Sequence, residues 1–153
     1  MTNKKIHLSI LIIITLSTLT HMSAIDPISF KGGYTKAVMV EGQEAISLTQ
    51  GAMIQTGSIQ LEAQIIEIIG PNARYLTGND KVTITDTQKN ITIRSNTIRF
   101  DRESNSLIVD GWVEIEDVAN ELIASGAYLN YNTETGNMVL QVSASIHRNT
   151  DEG

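Results

Sequence analysis

A pattern of residue types that recurs three times constrains this chain more than any other feature. The copies begin at "SIQLEAQIIEIIG", "NITIRSNTIRFD" and "ELIASGAYLNYN", and Ile59, Ile91 and Leu122 hold matching positions at separations of 32 and 31 residues. Self-similarity at such a period is typical of stacked units that each contact mainly their neighbours. The recurrence therefore predicts a repeated architecture.

Within each copy the apolar residues alternate with polar ones and then change phase. Ile59 and Leu61 alternate with glutamine and glutamate, which is the pattern of a strand with one buried and one wet face. Farther along, Ile66, Ile98 and Leu129 resume the apolar face from the opposite parity. A one-residue slip exchanges the two faces of a strand unless the strand bends or bulges there. Three slips at one repeat position predict a shared corner.

Turn-forming residues separate the strands at matching places. The stretches 70–74, 101–106 and 132–137 are rich in Gly, Asn, Pro and Ser, and Asp86 and Asp117 end two later strands of the repeat. The only stretch with a partly helical look, 113–126, fits the repeat better as two strands around a turn. The fold class is therefore predicted to be all-β, with bent strand–turn–strand repeats stacked into two facing sheets around an apolar interior.

The N-terminal residues have the pattern of an export signal. "MTNKK" is followed by an apolar run over residues 6–20 and by "HMSA", which ends in the small residue Ala24. Cleavage after Ala24 would leave residues 25–147 as the folded domain, and the polar residues 148–153 are predicted to be a disordered tail. The alternative is that the run is kept as a membrane anchor, although it is shorter than the ~20 residues that span a bilayer comfortably.

Composition argues against several function classes. The chain has no cysteine and a formal charge of −6, so disulfides are excluded and nucleic acid is not an expected partner. His147 is the only histidine outside the export signal, and no HExxH, P-loop or GxSxG stretch occurs. We therefore expect neither an enzyme nor a cofactor nor a bound metal.

Two groups of charged residues could either bind a ligand or form a solvated strand face. Arg94, Arg99 and Arg102 follow one another closely near a turn and would suit phosphates of a head group, or else form a solvated strand face. Glu114 and Glu116 lie on one side of a strand, where they would either hold a hard cation or form another wet face. Thr83 and Thr85 occupy the same places in the preceding copy, which favours the wet face.

The series "ITIRSNTIRFDRESNSLIVDGWVEIED" and "NELIASGAYLNYNTETG" resembles the LptA-like (OstA-like) repeat of periplasmic lipopolysaccharide transport proteins. The resemblance covers roughly residues 44–146. It implies a twisted, partly open two-sheet β-jellyroll in the periplasm, with an apolar groove for the acyl chains of lipopolysaccharide or another acylated glycolipid. It also implies self-association through edge strands and contact with inner- and outer-membrane transport components, so that subunits bridge the two membranes.

The groove would be lined by the inward apolar residues of the repeats. These are Ile54, Ile59, Leu61, Ile66, Ile68, Ile84, Ile91, Ile93, Ile98, Phe100, Ile115, Leu129 and Tyr131. The same residues would equally pack the core of a closed sandwich, since alternation is the ordinary sign of a packed sheet. Two alternatives therefore stay open: a structural β-repeat or assembly module of the cell envelope, and a membrane-anchored partner within the same transport system.

Overall fold

The computed structural model describes residues 25–41 and 43–142. The predicted export signal and the tail at 148–153 lie outside these residues. The described chain forms eight strands, whose bounds are β1 Ile28–Val38, β2 Ala45–Thr56, β3 Ile59–Ile69, β4 Tyr75–Asp86, β5 Ile91–Asp101, β6 Ser106–Asp117, β7 Leu122–Asn132 and β8 Met138–Gln141.

The strands form one open antiparallel sheet in which neighbours in sequence are neighbours in space, from β1 to β8. One short 3₁₀ turn, Pro71–Ala73, is the only helical element in the described chain. Across the same residues no helix has the length and apolar character to cross a membrane. The all-β prediction is confirmed, and the segment 113–126 is indeed the end of β6, a turn and the start of β7.

A register shift occurs at the same level in six successive strand pairs and bends the whole sheet. The shifts lie between Gly32 and Tyr34, Thr49 and Ala52, Glu62 and Ile65, Asn79 and Val82, Ser95 and Arg99, and Asp110 and Val113. The predicted corner is therefore present in every pairing from β1–β2 to β6–β7. Its line divides the sheet into two layers.

We call the part that contains 65–69, 75–79, 97–101, 106–110 and 128–132 layer A. The part that contains 59–62, 82–86, 91–95, 113–117 and 122–126 is layer B. The inward side chains of both layers join one core cluster that runs from β2 to β7. The two facing sheets predicted from the repeat are thus two layers of one continuous, folded sheet.

Odd and even strands make the corner in different ways. In β3 the buried positions pass from Ala63 to Ile66, which is the one-residue slip visible in the sequence. In β4 they pass from Gly78 to Val82, so the parity is kept and one extra residue bulges. Because parity does not change, alternation alone does not reveal the corner in the even strands.

The even strands turn the corner with left-handed backbone. Gln50 and Gly51 in β2, Asp80 and Lys81 in β4, and Gly111 in β6 have φ between 52° and 120°. Residues other than glycine adopt this backbone region at a cost in free energy. The corner of β4 has two such residues, that of β2 has one and that of β6 has none, so the three corners differ in strain.

Backbone hydrogen bonds join each turn to the next turn on the same side. The turns 70–74, 102–105 and 133–137 form rim A, where Arg102 N donates to Arg74 O at 3.0 Å and Thr133 N donates to Asn105 O at 2.9 Å. The turns 57–58, 87–90 and 118–121 form rim B, where Thr87 N donates to Ser58 O at 3.0 Å. The ladder therefore continues from the strands into both rims.

The corner makes a matched pair of substitutions informative. Gly111 has φ 120° and an added Cβ would meet nothing within 4 Å, so Gly111→Ala tests backbone strain without a clash. We expect it to lower the free energy of unfolding by about 1–2 kcal/mol. Asp80→Gly, at the equivalent corner of β4, relieves left-handed strain but loosens the unfolded chain, so the net change should stay within about 0.5 kcal/mol. Urea denaturation of both variants measures this; equal losses would contradict the strained-corner account.

Candidate functional site

The interior between the layers brings together every residue predicted to line a groove. All thirteen side chains belong to the single core cluster, and none is more than 6% exposed. They contact one another, so the interior of this structure is filled by side chains. Their role in holding a ligand stays a prediction.

The apolar strip of the interior meets solvent at both ends. At the β1 end, Phe30 lies directly across from buried Ile54 and is 44% exposed. At the β7 end, Leu122 lies across from Asp117, on the inward face that continues to Ile91, and is 49% exposed. No described strand covers either position from beyond, so both ends present apolar surface in line with the core.

Opposite the corner, rim A and rim B approach each other along a seam, and a buried polar cluster fastens its β7 end. The hydroxyl of Tyr131, from layer A, donates to Asp86 Oδ2, from layer B, at 2.8 Å. Lys89 Nζ donates to Thr133 O at 2.5 Å and lies 3.7 Å from Asp86 Oδ2. Burial, and then the neighbouring Asp86 carboxylate, raise the pKa of Tyr131, so its hydroxyl remains a donor.

Asp86 uses one carboxylate oxygen for its own turn and the other for the facing layer. Its Oδ1 accepts hydrogen bonds from the backbone of Gln88 and Lys89, both at 3.1 Å. Asp117 makes the same kind of turn contact one repeat later, to the backbone of Asn120, but it has no partner from the facing layer among the described residues. The repeat therefore places an aspartate at both turns. Only Asp86 also binds the facing layer, because Tyr131 of β7 lies within hydrogen-bond distance of it.

Arg102 fastens the other end of the seam. Its guanidinium donates to the carbonyl oxygens of Asn72 and Ala73, at 2.9 and 2.7 Å, and to that of Asp26, just ahead of β1. The side chain is 6% exposed, and its Nε has no hydrogen-bond partner. Burial lowers the pKa of Arg102, an effect that the charge of Asp26 opposes.

A slot of about 340 Å³ opens to solvent along the seam. Ser58 and Gln88 line it from rim B, and Asn105 and Thr133 line it from rim A. The core residues Ile59 and Phe100 also border it, so the slot lies directly against the apolar core.

The outer face of layer A carries a second, mostly apolar depression of about 540 Å³. Ile69 and Tyr75 line it and are 40% and 42% exposed. The Arg74 guanidinium lies 4.8 Å from the centre of the Tyr75 ring and pairs with Asp101, which lowers the pKa of that carboxyl. This face is separated from the interior by the sheet itself.

The charged residues singled out in the sequence do not form one site. Arg94 pairs with Glu114 at 3.1 Å and with Glu116 at 3.2 Å on the outer face of layer B, so the wet face is the correct reading of the two glutamates. Arg99 is exposed on layer A, whereas Arg102 is buried at the seam. The described residues contain no cluster of side chains suited to a metal ion.

Sequence reasoning missed the seam. Asp86 was recognised as a turn residue and Tyr131 as an inward residue, but nothing local connects two positions 45 residues apart. A tyrosine at an inward position, where the copies have Ile68 and Phe100, was the available signal: a buried hydroxyl needs a partner.

Comparison with known proteins supports the fold. No protein-family model matches the chain, and no curated protein matches it by sequence. Among solved structures it is similar to the crystal structure of LptH, the LptA-homologous periplasmic component of the conserved lipopolysaccharide transport device from Pseudomonas aeruginosa. The TM-score is 0.67 at 12% sequence identity, with 80% of this chain and 92% of that chain covered. The chain therefore has the LptA-like β-jellyroll fold that the resemblance of its repeat implied.

Removing one hydroxyl tests the seam. Tyr131→Phe keeps the ring but leaves the buried Asp86 Oδ2 without its hydroxyl donor, so we expect a loss of about 1–3 kcal/mol in the free energy of unfolding. Tyr128→Phe, on the outer face of the same strand, is the matched control and should change stability by less than about 0.5 kcal/mol. Denaturation with urea compares the two; a Tyr131 variant as stable as its control would show that the contact does not fasten the layers.

Proposed function

We propose that the protein is a periplasmic carrier of lipopolysaccharide or a similar acylated glycolipid. It shelters acyl chains between layers A and B, and copies of it join head to tail to bridge the inner and outer membranes. The observation that carries the proposal is the apolar strip between the layers, open at Phe30 and Leu122, in a fold shared with LptH.

Physical chemistry explains why such an interior suits this cargo. Each methylene exposed to water costs about 0.8 kcal/mol, so a long acyl chain crosses an aqueous compartment only inside an apolar sheath. Aliphatic side chains such as Ile84 and Ile93 adapt to a flexible chain, and no bond chemistry is required. Because sheltering a lipid requires no bond to be made or broken, we expect the protein to be a carrier and not an enzyme.

Acyl chains enter this filled interior only if the layers separate. The corner is covalent and cannot part, so the layers open on the opposite side, at the seam. Replacing side-chain contacts with acyl contacts exchanges one apolar environment for another and is nearly neutral. The main cost of opening is therefore the loss of the polar contacts that cross the seam, from Tyr131 to Asp86, from Lys89 to Thr133 O and from Arg102 to Asp26 O.

The edges of the sheet suit head-to-tail assembly. β1 is an edge strand of 11 residues, β8 is the opposite edge, and in the described residues β8 covers β7 only in layer A. An uncovered strand edge readily pairs with another chain. Pairing of β1 with the β7–β8 edge of a second copy would align the two interiors, and membrane transport components would take the terminal edges.

Two other readings predict different outcomes. A structural β-repeat of the envelope would keep its interior closed and contact no lipid. A membrane-anchored partner of the same system would keep residues 1–24, which intact-mass measurement of the exported protein detects. An intact mass equal to that of a chain whose first residue is Ile25 would support the cleaved carrier.

Adjacent residues on opposite faces give a sharp test of lipid binding. A photoreactive phenylalanine analogue at Leu122 faces the open end of the interior, whereas at Ile123 it faces outward. Ile123 is the more exposed of the two, at 74% against 49%. We expect irradiation of whole envelopes to attach an acylated glycolipid at 122, with about tenfold less at 123. Mass spectrometry of the adducts measures both.

Phe30 and Ser29 form the corresponding pair at the other end of the strip. Both inward positions should label in the carrier. Equal labelling at 122 and 123 would indicate nonspecific membrane contact, and no lipid adduct at either end would leave the structural repeat as the better account.

A further inference from the structure

The two edges of the described sheet differ in charge. The only charged residues of β1 are Lys31 and Lys36, which are exposed and make no ion pair within the described residues. Their partners on β2 are the uncharged Met53 and Ser47. At the other end, β7 and the described β8 contain no charged residue. Charges on an edge strand, lysine above all, protect it from unwanted pairing.

Both lysines lie on the outer face of the sheet, one on each side of the β1 corner. Phe30 pairs with buried Ile54 and Thr35 pairs with buried Leu48, so the lysine that follows each of them points outward. Five residues separate the two lysines, and the change of parity at the corner is what places them on one face.

This placement matters when β1 meets β1 of a second copy. An antiparallel two-fold pairing that aligns the two corners, with inward residues opposite inward residues, sets Gly32 opposite Thr35. The same register sets Lys31 opposite Lys36, and the two-fold axis makes this contact twice. Like charges directly opposite each other destabilise a strand pair. Registers displaced by two residues would separate the lysines but would also misalign the corners.

The β7–β8 edge of a second copy offers no such conflict. Its own strands bring no cation to meet the two lysines. From 103 to 142 the chain has acidic residues and no lysine or arginine. One of these acids, Asp110 of β6, lies across from Tyr128 on the outer face of layer A and makes no ion pair within the described residues. A β1 strand added beyond β7 and β8 therefore brings its lysines toward an acidic end.

We propose that Lys31 and Lys36 select the partner of β1. They exclude β1 of a second copy and leave this edge for the uncharged β7–β8 edge of another copy. The inference rests on the edge pairing of the proposed function and adds the residues that give the assembly its direction.

Introduced cysteines report the excluded pairing directly. The chain has no cysteine, and in the two-fold register Ser29 lies opposite Val38, at the ~4.5–5.5 Å between Cα atoms that a disulfide spans. We expect the exported protein with Ser29→Cys and Val38→Cys to form little disulfide-linked dimer on mild oxidation, as measured by non-reducing electrophoresis. Ser29→Cys alone is the matched control, because position 29 does not face itself in this register.

Charge exchange in that cysteine background tests the lysines. Lys31→Glu sets a carboxylate opposite Lys36 at both contacts, so we expect about tenfold more linked dimer at low salt, and Lys36→Glu should act alike. Combining the two changes sets like charges opposite each other again and should return the yield to its starting level. Lys81→Glu, at the corner of β4, changes the net charge equally and should leave the yield unchanged. Added salt should shrink these differences.

Two results would overturn the inference. One is a yield of linked dimer that does not change with Lys31→Glu or Lys36→Glu, in variants whose circular dichroism shows that the fold is kept. The other is a combined variant that links as well as either single variant, since loss of lysine would then be the cause. Neither result affects the carrier proposal if the probe at Leu122 still captures glycolipid, and a missing glycolipid adduct would leave the selection by the lysines standing.

Discussion

The rest of the structure depends on the corner. It arises because a flat sheet of these strands would leave their apolar side chains in water. Each strand has one apolar face, and a single layer would leave that face in water. Folding every strand at the same level lets the face of layer A cover the face of layer B, and the inward side chains of both then form one core cluster. The register shift from Ser95 to Arg99, and its counterparts in five other pairings, are the local expression of this one requirement.

The seam follows from the corner. Folding a sheet leaves one side continuous and the other made of turns, and turns carry backbone groups that strands no longer pair. Rim-to-rim contacts therefore combine turn formation with closure, as Asp86 does when it binds both its own turn and Tyr131. A buried carboxylate of this kind is tolerated only while its partners are present. The polar contacts that join the two rims are thus concentrated in a few groups, beside the apolar core that both layers share.

The features of the fold that could be predicted are those set by neighbouring residues within one strand. Alternation located the strands, and the slip from Ala63 to Ile66 located the corner, because both depend on neighbours in one strand. The even-strand bulge at Asp80 was not visible, since it leaves the parity unchanged. The seam contacts of Arg102 and Tyr131 were not visible either, because they depend on how far one layer is displaced along the other. The inward residues were identified correctly as a set, but burial does not tell a dry core from a groove that opens.

In the described residues the two ends of the sheet are not equivalent, and this difference would decide what kind of assembly the proposed carrier forms. β1 runs across both layers as a complete edge, whereas among the described residues β8 pairs with β7 only in layer A and Leu122–Ser125 of β7 have no strand partner on that side. Unlike edges that pair with each other make a heterologous contact, which extends without closing unless a rotation completes a ring. A two-fold dimer of like edges would instead set two interiors end against end and stop there. Only the heterologous arrangement keeps one apolar strip in register from copy to copy, so the asymmetry of the edges and the continuity of the interior are two consequences of the same stacked repeat.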